Sequence, residues 1–188
     1  MHIVSAYGST VKIYTRKGDD GTTGLYYGGR VAKNDPAPRA YGAVDEAQAA
    51  LGMARAESEP GSELDSMLTR LEHDLYVLMA ELATSPDNRE KLVPGKQLVT
   101  LEMVVDLEPI IDDLMGRFEM PQEFVVPGGS RISAMLDVAR TVIRRAERES
   151  LDVAVEGSHV VPYLNRLSDL VWAMARWQEG NHLLARDV

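Results

Sequence analysis

The sequence predicts an all-α protein, a bundle of five helices preceded by a glycine-rich loop. Beyond residue 37, apolar residues recur at helical spacing in five segments that prolines, glycines and serines separate. The two strand candidates, residues 11–15 and 124–126, are too short to build a sheet. Amphipathic helices joined by short links bury their apolar faces best against one another, which favours a bundle.

The first three predicted helices follow one another closely. The first covers residues 40–58 and is rich in alanine. The second begins at Ser62 and ends before Pro86. The third covers residues 96–118, although Pro109 within it can kink a helix.

The last two predicted helices have clearer starts. The fourth covers residues 130–151, and Ser130 is a good N-cap after a proline and two glycines. The fifth covers about residues 160–184, with Ser158 as a candidate cap and Pro162 near the first turn.

Length and composition favour one globular unit. With 188 residues, of which 45% are hydrophobic, the chain is long enough for one sizeable core and too short for two. We therefore predict a single domain over residues 1–188, made of a tail (1–10), a nucleotide-binding loop (11–36) and a helical bundle (37–188).

Several classes of protein are disfavoured by what the sequence lacks. It has no cysteine, so it offers no disulfide, thiolate metal site or cysteine nucleophile. It has no apolar run of about 18 residues and no secretion-signal pattern at its start. We expect a soluble cytoplasmic protein that binds no membrane.

The charge is distributed unevenly along the chain. The formal net charge of -9 argues against a nucleic-acid partner, which would require a basic face. Residues 1–42 carry six Lys/Arg against three Asp/Glu, residues 43–123 six against eighteen, and residues 124–188 eight against eight. Any small anion is therefore expected to bind near the two ends of the sequence.

The glycine-rich loop contains the stretch Thr-Arg-Lys-Gly-Asp-Asp-Gly-Thr-Thr-Gly at residues 15–24. Three glycines among cations and hydroxyls disfavour helix or regular strand, and they let backbone N–H groups converge on a polyphosphate. A tight surface hairpin is the alternative, since such residues also form turns. A standard P-loop is excluded, because Gly95-Lys96 is followed by Gln97 and not by a hydroxyl residue.

The fourth helix carries charged residues on the side opposite its apolar face. This stripe consists of Asp137, Arg140, Arg144, Glu147 and Arg148. Charges at such spacing often form a solvated surface with weak ion pairs. Three arginines on one face would also suit a triphosphate, provided that the loop or a neighbouring subunit covers them.

Taken together, these segments resemble the PduO-type ATP:cob(I)alamin adenosyltransferases. The resemblance runs from about residue 11 to residue 178. It is carried by residues 15–25, 29–33, 40–46, 124–129, 139–148 and 163–169, in the family's order.

The resemblance implies a homotrimer of five-helix bundles that binds ATP and a corrinoid at each subunit interface. ATP contacts are implied for two groups of residues. One subunit would contribute Thr15, Arg16, Lys17, Gly18, Asp19, Thr22, Thr23, Gly24 and Lys33, and the neighbour Arg144, Arg145, Glu147, Arg148 and Asn165.

The implied reaction transfers the 5′-deoxyadenosyl group of ATP to the cobalt of cob(I)alamin, with Mg²⁺ on the triphosphate and no metal site of the protein's own. The catalytic residues would be Asp45, Phe124, Arg140 and Arg144. The first three would also contact cobalamin. Asp45 would pair with Arg140 across the interface, and Phe124 would displace the cobalamin's lower base. Without the family, Phe124 would be interpreted as a hydrophobic staple before the fourth helix.

The same resemblance implies two kinds of protein partner, a corrinoid reductase and an adenosylcobalamin-dependent enzyme. The sequence also departs from the family's pattern. Asp45 and Glu46 are followed by Ala47-Gln48 where Leu-Asn is frequent, and little chain follows Trp177 to close over a corrinoid.

Two other functions are also compatible with a helical bundle. A di-iron carboxylate bundle requires Glu-x-x-His pairs, and two exist, Glu156 with His159 and Glu179 with His182. Both pairs fall at predicted helix ends, where ligands would be poorly fixed. A non-catalytic nucleotide or corrinoid sensor is the other possibility, and it would use nearly the same residues as the enzyme.

Overall fold

The computed structural model describes residues 13–188 and confirms a predominantly helical protein. Its strands are β1 (Thr22–Gly24) and β2 (Arg30–Ala32), and Pro86–Lys91 and Ala185–Asp187 form short 3₁₀ turns. The helices are α1 (Pro36–Ala56), α2 (Glu63–Leu82), α3 (Leu101–Val105), α4 (Glu108–Met115), α5 (Arg131–Ser150) and α6 (Val160–Glu179).

The core lies between the four long helices. α5 packs against α1 on one side and α6 on the other, α1 also packs against α2, and α4 covers α6. Leucines from α2, α5 and α6 fill the interior, whereas α1 contributes mainly alanines. Small side chains on α1 leave room for the larger side chains of its neighbours.

The starts of the long helices follow local sequence signals. Ser62 accepts a hydrogen bond from the backbone N–H of Asp65, and Ser130 forms a capping box with Ser133. α1 begins at Pro36, four residues before the predicted start, because prolines are tolerated in a first turn. Ser158 precedes the N-cap residue of α6, His159, and its hydroxyl accepts from the N–H of Val160.

The predicted third helix is wrong as a continuous element. Thr100 caps a short α3, which ends at Val105, and α4 starts anew with Pro109 in its first turn. Proline cannot donate the hydrogen bond that a continuous helix requires, so the chain breaks before it. Residues 95–97 form a turn, and after it the N–H of Val99 donates to the buried carboxylate of Glu81.

The end of α6 also differs from the prediction. The helix stops at Glu179, and Gly180 follows with φ of 74°, a conformation that glycine adopts readily. Beyond it the chain turns back, and Val125 and Leu184 form an antiparallel bridge. The strand candidate at residues 124–126 therefore does pair, but with the chain after α6 and not within a sheet.

None of the helices in residues 13–188 is both long and apolar enough to cross a membrane.

Candidate functional site

The strap, which we define as residues 15–33, is a hairpin held together by Arg30. Strands β1 and β2 pair antiparallel, with Thr23 opposite Val31. The Arg30 guanidinium donates to the Thr22 hydroxyl at 2.6 Å and to the Lys17 carbonyl, and it lies 3.7 Å from Asp20. The prediction that residues 15–24 contain no strand is wrong for Thr22–Gly24. The hairpin alternative is correct, and it shapes the loop.

Several predicted nucleotide ligands lie on the outside of this hairpin. Arg16, at φ of 60°, and Lys17 are exposed, and the Arg16 guanidinium lies 5.6 Å from the centre of the Tyr14 ring. Lys33 lies across Gly18, where an added Cβ would come within 3.1 Å of the Lys33 Nζ. Gly18 therefore allows the two predicted ligands to lie side by side.

Asp20 fixes the turn that precedes β1. Its carboxylate accepts hydrogen bonds from the backbone N–H of Thr22 at 2.9 Å and from the Thr22 hydroxyl at 2.8 Å. These bonds to the charged form lower the pKa of Asp20 below its ordinary value. The strap is therefore organised by Asp20 and Arg30, which both hold the Thr22 hydroxyl.

The strap sits at one end of the bundle. The N–H of Tyr26 donates to the carbonyl of Ala83, just past the end of α2, and Arg39 lies 4.0 Å from Glu149 near the end of α5. A cleft of about 370 Å³ opens beneath it, lined mainly by apolar side chains. None of the predicted ATP ligands in the described part of the chain lines this cleft.

The predicted ATP residues of α5 and α6 form a separate group on the bundle surface. Arg144 and Arg148 are exposed. Glu147 accepts a hydrogen bond from the Asn165 amide at 2.9 Å, which joins the two helices. Arg145 instead forms an ion pair with Glu46 of α1.

Asp137 does not belong to this exposed face, contrary to the prediction. It is buried, and its carboxylate lies 2.6 Å from Nη2 of the buried Arg176 on α6. Each charge offsets part of the desolvation cost of the other, and loss of one partner from such a pair costs about 3–5 kcal/mol. The other Asp137 oxygen lies 3.3 Å from Nε of Arg140.

A second cleft, of about 750 Å³, lies at the other end of α5. Its walls include Phe124, Arg140, Trp172 and Arg176. Phe124 is 88% exposed, so it does not act as a hydrophobic staple and offers its ring to the surroundings. Arg140 is half-buried, with its Nε held by Asp137.

The chain after α6 holds the segment that carries Phe124. The N–H of Val126 donates to the Leu183 carbonyl at 2.8 Å, and the N–H of Ala185 donates to the Phe124 carbonyl at 2.9 Å. Arg186 adds an exposed ion pair with Glu123. The residues after Trp177 therefore reach the cleft, although they were expected to be too few to close it.

The structure thus distributes the predicted site residues over four places in one chain. These places are the strap, the second cleft or Phe124 cleft, the exposed Asp45 on α1, and a surface of α5 and α6 that we call the Arg144 face, formed by Arg144, Arg145, Glu147, Arg148 and Asn165. Sequence reasoning missed Arg30, Trp172 and Arg176. Only Arg176 carried a signal, as an arginine among the apolar residues of α6, where a buried cation requires an acidic partner.

The glutamate–histidine pairs do not form a metal centre. Glu179 is fully buried against Arg176, and residues 156–159 lie outside α6 except as its cap. Across residues 13–188 no group of three or more His, Cys, Asp or Glu side chains converges.

Comparison with known proteins points to one family. The sequence pattern described as cobalamin adenosyltransferase matches residues 13–178. A corrinoid adenosyltransferase of Mycobacterium tuberculosis strain H37Rv is 42% identical over 170 residues, covering 88% of this chain and 87% of that protein. The corrinoid adenosyltransferase PduO of Salmonella typhimurium is 36% identical over 172 residues, covering 90% of this chain and 50% of that longer protein.

The fold is shared as well. A variant of the PduO-type ATP:corrinoid adenosyltransferase from Lactobacillus reuteri, complexed with cobalamin and ATP, superposes with a TM-score of 0.82 at 30% identity. The match covers 93% of this chain and 99% of that one. A second variant, complexed with ATP, gives a TM-score of 0.80.

Proposed function

The chain belongs to the cobalamin adenosyltransferase family, and we infer that it is an ATP:cob(I)alamin adenosyltransferase. It transfers the 5′-deoxyadenosyl group of ATP to the cobalt of cob(I)alamin and releases adenosylcobalamin and triphosphate. The observation that carries this conclusion is the family match over residues 13–178, together with relatives of that activity up to 42% identical over most of their length.

The reaction needs positioning more than it needs a protein nucleophile. Cobalt(I) attacks C5′ of ATP with its own electron pair, the bond from C5′ to the triphosphate oxygen breaks, and that oxygen leaves with the bonding pair. The corrinoid supplies the nucleophile, so the protein has to hold C5′ in line with cobalt and stabilise the leaving group.

We propose that ATP binds between the strap of one subunit and the Arg144 face of a neighbour. Within residues 13–188, the side chains of five predicted ligands are exposed and form no ion pair with an acidic side chain: Arg16, Lys17 and Lys33 of the strap, and Arg144 and Arg148 of α5. A guanidinium pair offers forked donors to a polyphosphate. The contacts proposed are Thr15, Arg16, Lys17, Gly18, Asp19, Thr22, Thr23, Gly24 and Lys33 from one subunit, and Arg144, Arg145, Glu147, Arg148 and Asn165 from the other.

We propose that the corrinoid occupies the Phe124 cleft. An aromatic ring 88% exposed beside a cleft of about 750 Å³ is an apolar surface available to a large planar ligand. There Phe124 would displace the lower axial base, and Asp45 of a neighbouring subunit would pair with Arg140. Arg140 and Arg144 would offset charge on the leaving triphosphate.

Magnesium would enter as part of the substrate. Within the described residues no cluster of acidic or histidine side chains can hold a cation alone. Triphosphate oxygens are good Mg²⁺ ligands, so the substrate proposed is the Mg²⁺–ATP complex.

The assembly and surroundings follow from the same proposal. A homotrimer would bring each strap to a neighbouring Arg144 face and place three equivalent sites at the interfaces. The enzyme would work in the cytoplasm. A corrinoid reductase would supply its cobalt(I) substrate, and an adenosylcobalamin-dependent enzyme would use its product.

Turnover can be tested directly. Purified protein incubated with chemically reduced cobalamin, ATP and Mg²⁺ should show the corrinoid spectrum of a new cobalt–carbon bond.

Arg140→Ala should lower kcat far more than it weakens ATP binding, because the interaction of Arg140 with the triphosphate strengthens in the transition state. Arg131→Ala, which removes an exposed arginine, is the matched control and should leave kcat unchanged. Binding of ATP and corrinoid without a cobalt–carbon bond would instead indicate a sensor.

A further inference from the structure

A chain of four charged residues runs through the wall of the Phe124 cleft. Nε of Arg140 lies 3.3 Å from one oxygen of Asp137, and the other oxygen lies 2.6 Å from Nη2 of Arg176. Nε of Arg176 lies 3.2 Å from Glu179, whose second oxygen accepts the N–H of Gly129 at 3.0 Å. We call these four residues the Arg176 network.

The Arg176 network is buried except at its ligand end. The side chains of Arg176, Asp137 and Glu179 are 2%, 6% and 0% exposed, whereas that of Arg140 is 27% exposed. Two cations balance two anions, and Nδ1 of His182 also lies 3.3 Å from the Glu179 oxygen that faces Arg176. Buried charges held by several partners have little freedom to move, which makes this wall stiff.

Arg176 connects two separate parts of the cleft. Through Asp137 it reaches α5 and Arg140, and through Glu179 it reaches Gly129 in the loop between Phe124 and α5. The loop lies directly on the network, since a Cβ added to Gly129 would come within 2.5 Å of the Glu179 carboxylate. One buried guanidinium therefore links the loop to Arg140, in addition to the backbone bonds that hold the loop to the chain after α6.

Sharing of Asp137 also affects the charge that Arg140 presents. Asp137 is held by two guanidiniums, so it compensates neither of them completely. Its bond to Nε orients the Arg140 side chain, and within residues 13–188 neither Nη atom of Arg140 has a hydrogen-bond partner. The forked end of Arg140 remains available to a ligand.

We propose that Arg176 is a positioning residue for the transfer reaction, acting through Asp137 on Arg140 and through Glu179 on the Phe124 loop. This inference rests on the proposed function. Arg176 contacts no reacting atom. It holds the two walls of the corrinoid cleft at the separation that in-line attack requires, and a displacement of about 1 Å in such a site can reduce the rate by up to about 100-fold.

Two variants break the network in different ways. Asp137→Asn keeps the shape of the side chain but removes its charge, and Arg176→Lys keeps the charge but cannot reach Asp137 and Glu179 with separate nitrogens. Asp169→Asn is the matched control, because Asp169 also pairs with an arginine three residues away on a helix, Arg166, but at the surface.

Steady-state kinetics with cob(I)alamin and ATP, with folding checked by circular dichroism, is the test. We expect kcat to fall about tenfold or more in both network variants, the KM for ATP to stay within about twofold, and Asp169→Asn to match wild type. Unchanged kcat in either network variant would overturn the proposal. A parallel loss of kcat, ATP binding and melting temperature would overturn it too, because that is the result of general destabilisation.

Binding of cob(II)alamin separates this proposal from the proposed function. Wild-type protein that fails to form a cobalt–carbon bond contradicts the function. In that case the role of the network is tested by measuring the affinity for cob(II)alamin and the spectrum of the bound corrinoid. We expect at least one of these two to differ between Asp137→Asn and wild type. Identical affinity and spectrum, or no binding by wild type, would overturn the positioning role.

Discussion

At the scale of single residues, the hydrogen bond between Tyr163 and Asp74 shows how the core holds a charge. The Tyr163 hydroxyl donates to an Asp74 oxygen at 2.8 Å, and both residues are buried between α6 and α2. Tyr163→Phe removes the donor and leaves the carboxylate less well paired. We expect the free energy of unfolding to fall by about 1–3 kcal/mol at pH 7, measured by urea denaturation. Tyr76→Phe, at a tyrosine 60% exposed, should have no measurable effect.

The same tyrosine predicts a loss of stability at alkaline pH. Burial and the nearby Asp74 charge raise the pKa of Tyr163 well above its ordinary value. The unfolded chain loses the Tyr163 proton near pH 10, whereas the folded chain keeps it. The contribution of this group to the free energy of unfolding is therefore fully present below that pH. It falls as the pH rises further, by at most about 1.4 kcal/mol per pH unit. Tyr163→Phe should have a shallower decline between pH 9 and 11. Identical declines would contradict the assignment.

Some site residues could be predicted from sequence and others could not, for a physical reason. The composition of residues 15–24 predicts a polyphosphate loop because every group that the prediction uses is local in the sequence. Helical periodicity places Asp137 on the solvated face, because it describes the two sides of α5 alone and carries no information about the helix that packs against it. Its partner Arg176 is 39 residues away, and only the packing of α5 on α6 brings them together.

At the scale of secondary-structure elements, the same distinction applies. α2 and α5 were predicted well because Ser62 and Ser130 mark their starts, and both caps form. The break between α3 and α4 was underestimated, because Pro109 was treated as a kink within one helix. The sequence indicates the hairpin of β1 and β2 only as an alternative, because each strand has just three residues. The pairing also depends on Arg30, which lies outside the stretch 15–24.

The pairing of residues 183–185, after α6, with the Phe124 segment, residues 124–126, can be tested at one hydrogen bond. Ala185→Pro removes the N–H that donates to the Phe124 carbonyl. Leu184, at φ of -84° and ψ of 147°, already has the conformation that precedes proline, so the change adds no clash. A bond worth about 1 kcal/mol should make the Val126 amide exchange with solvent about five times faster.

The control for this experiment removes a side-chain contact from the same segment. Arg186→Ala deletes the exposed ion pair with Glu123 and leaves both backbone bonds in place. An exposed pair of this kind stabilises little, so Val126 exchange should stay near the wild-type rate. Faster exchange in Arg186→Ala together with an unchanged rate in Ala185→Pro would show that the side-chain pair, and not the backbone pairing, holds the segment.

At the scale of the whole molecule, the proposed site is divided between distant parts of one chain. The strap lies near the end of α5, and the Phe124 loop lies before its start. A helix of this length spans about 30 Å, so the two features are separated by most of the bundle. Trimerisation would resolve this separation by completing each site with a neighbouring subunit.

Subunit mixing tests this arrangement. Lys33→Ala disables the strap and Arg144→Ala disables the facing surface, and both side chains are exposed, so both variants should fold. Each pure variant should be inactive. In trimers mixed at random, about half of the straps and about half of the facing surfaces are intact, which leaves about a quarter of the sites complete.

Coexpression with two affinity tags and sequential purification would isolate the mixed trimers, and light scattering should give three times the chain mass of 20.7 kDa. We expect about a third of wild-type turnover from the isolated mixed trimers, because each of them contains one site in three that joins an intact strap to an intact arginine face from a different chain. Mixing Lys33→Ala with Lys17→Ala is the control, since two strap defects leave every strap damaged and should restore nothing. If the Lys33→Ala and Arg144→Ala mixture is equally inactive, both groups serve one site within a single chain, and the interfacial arrangement is wrong.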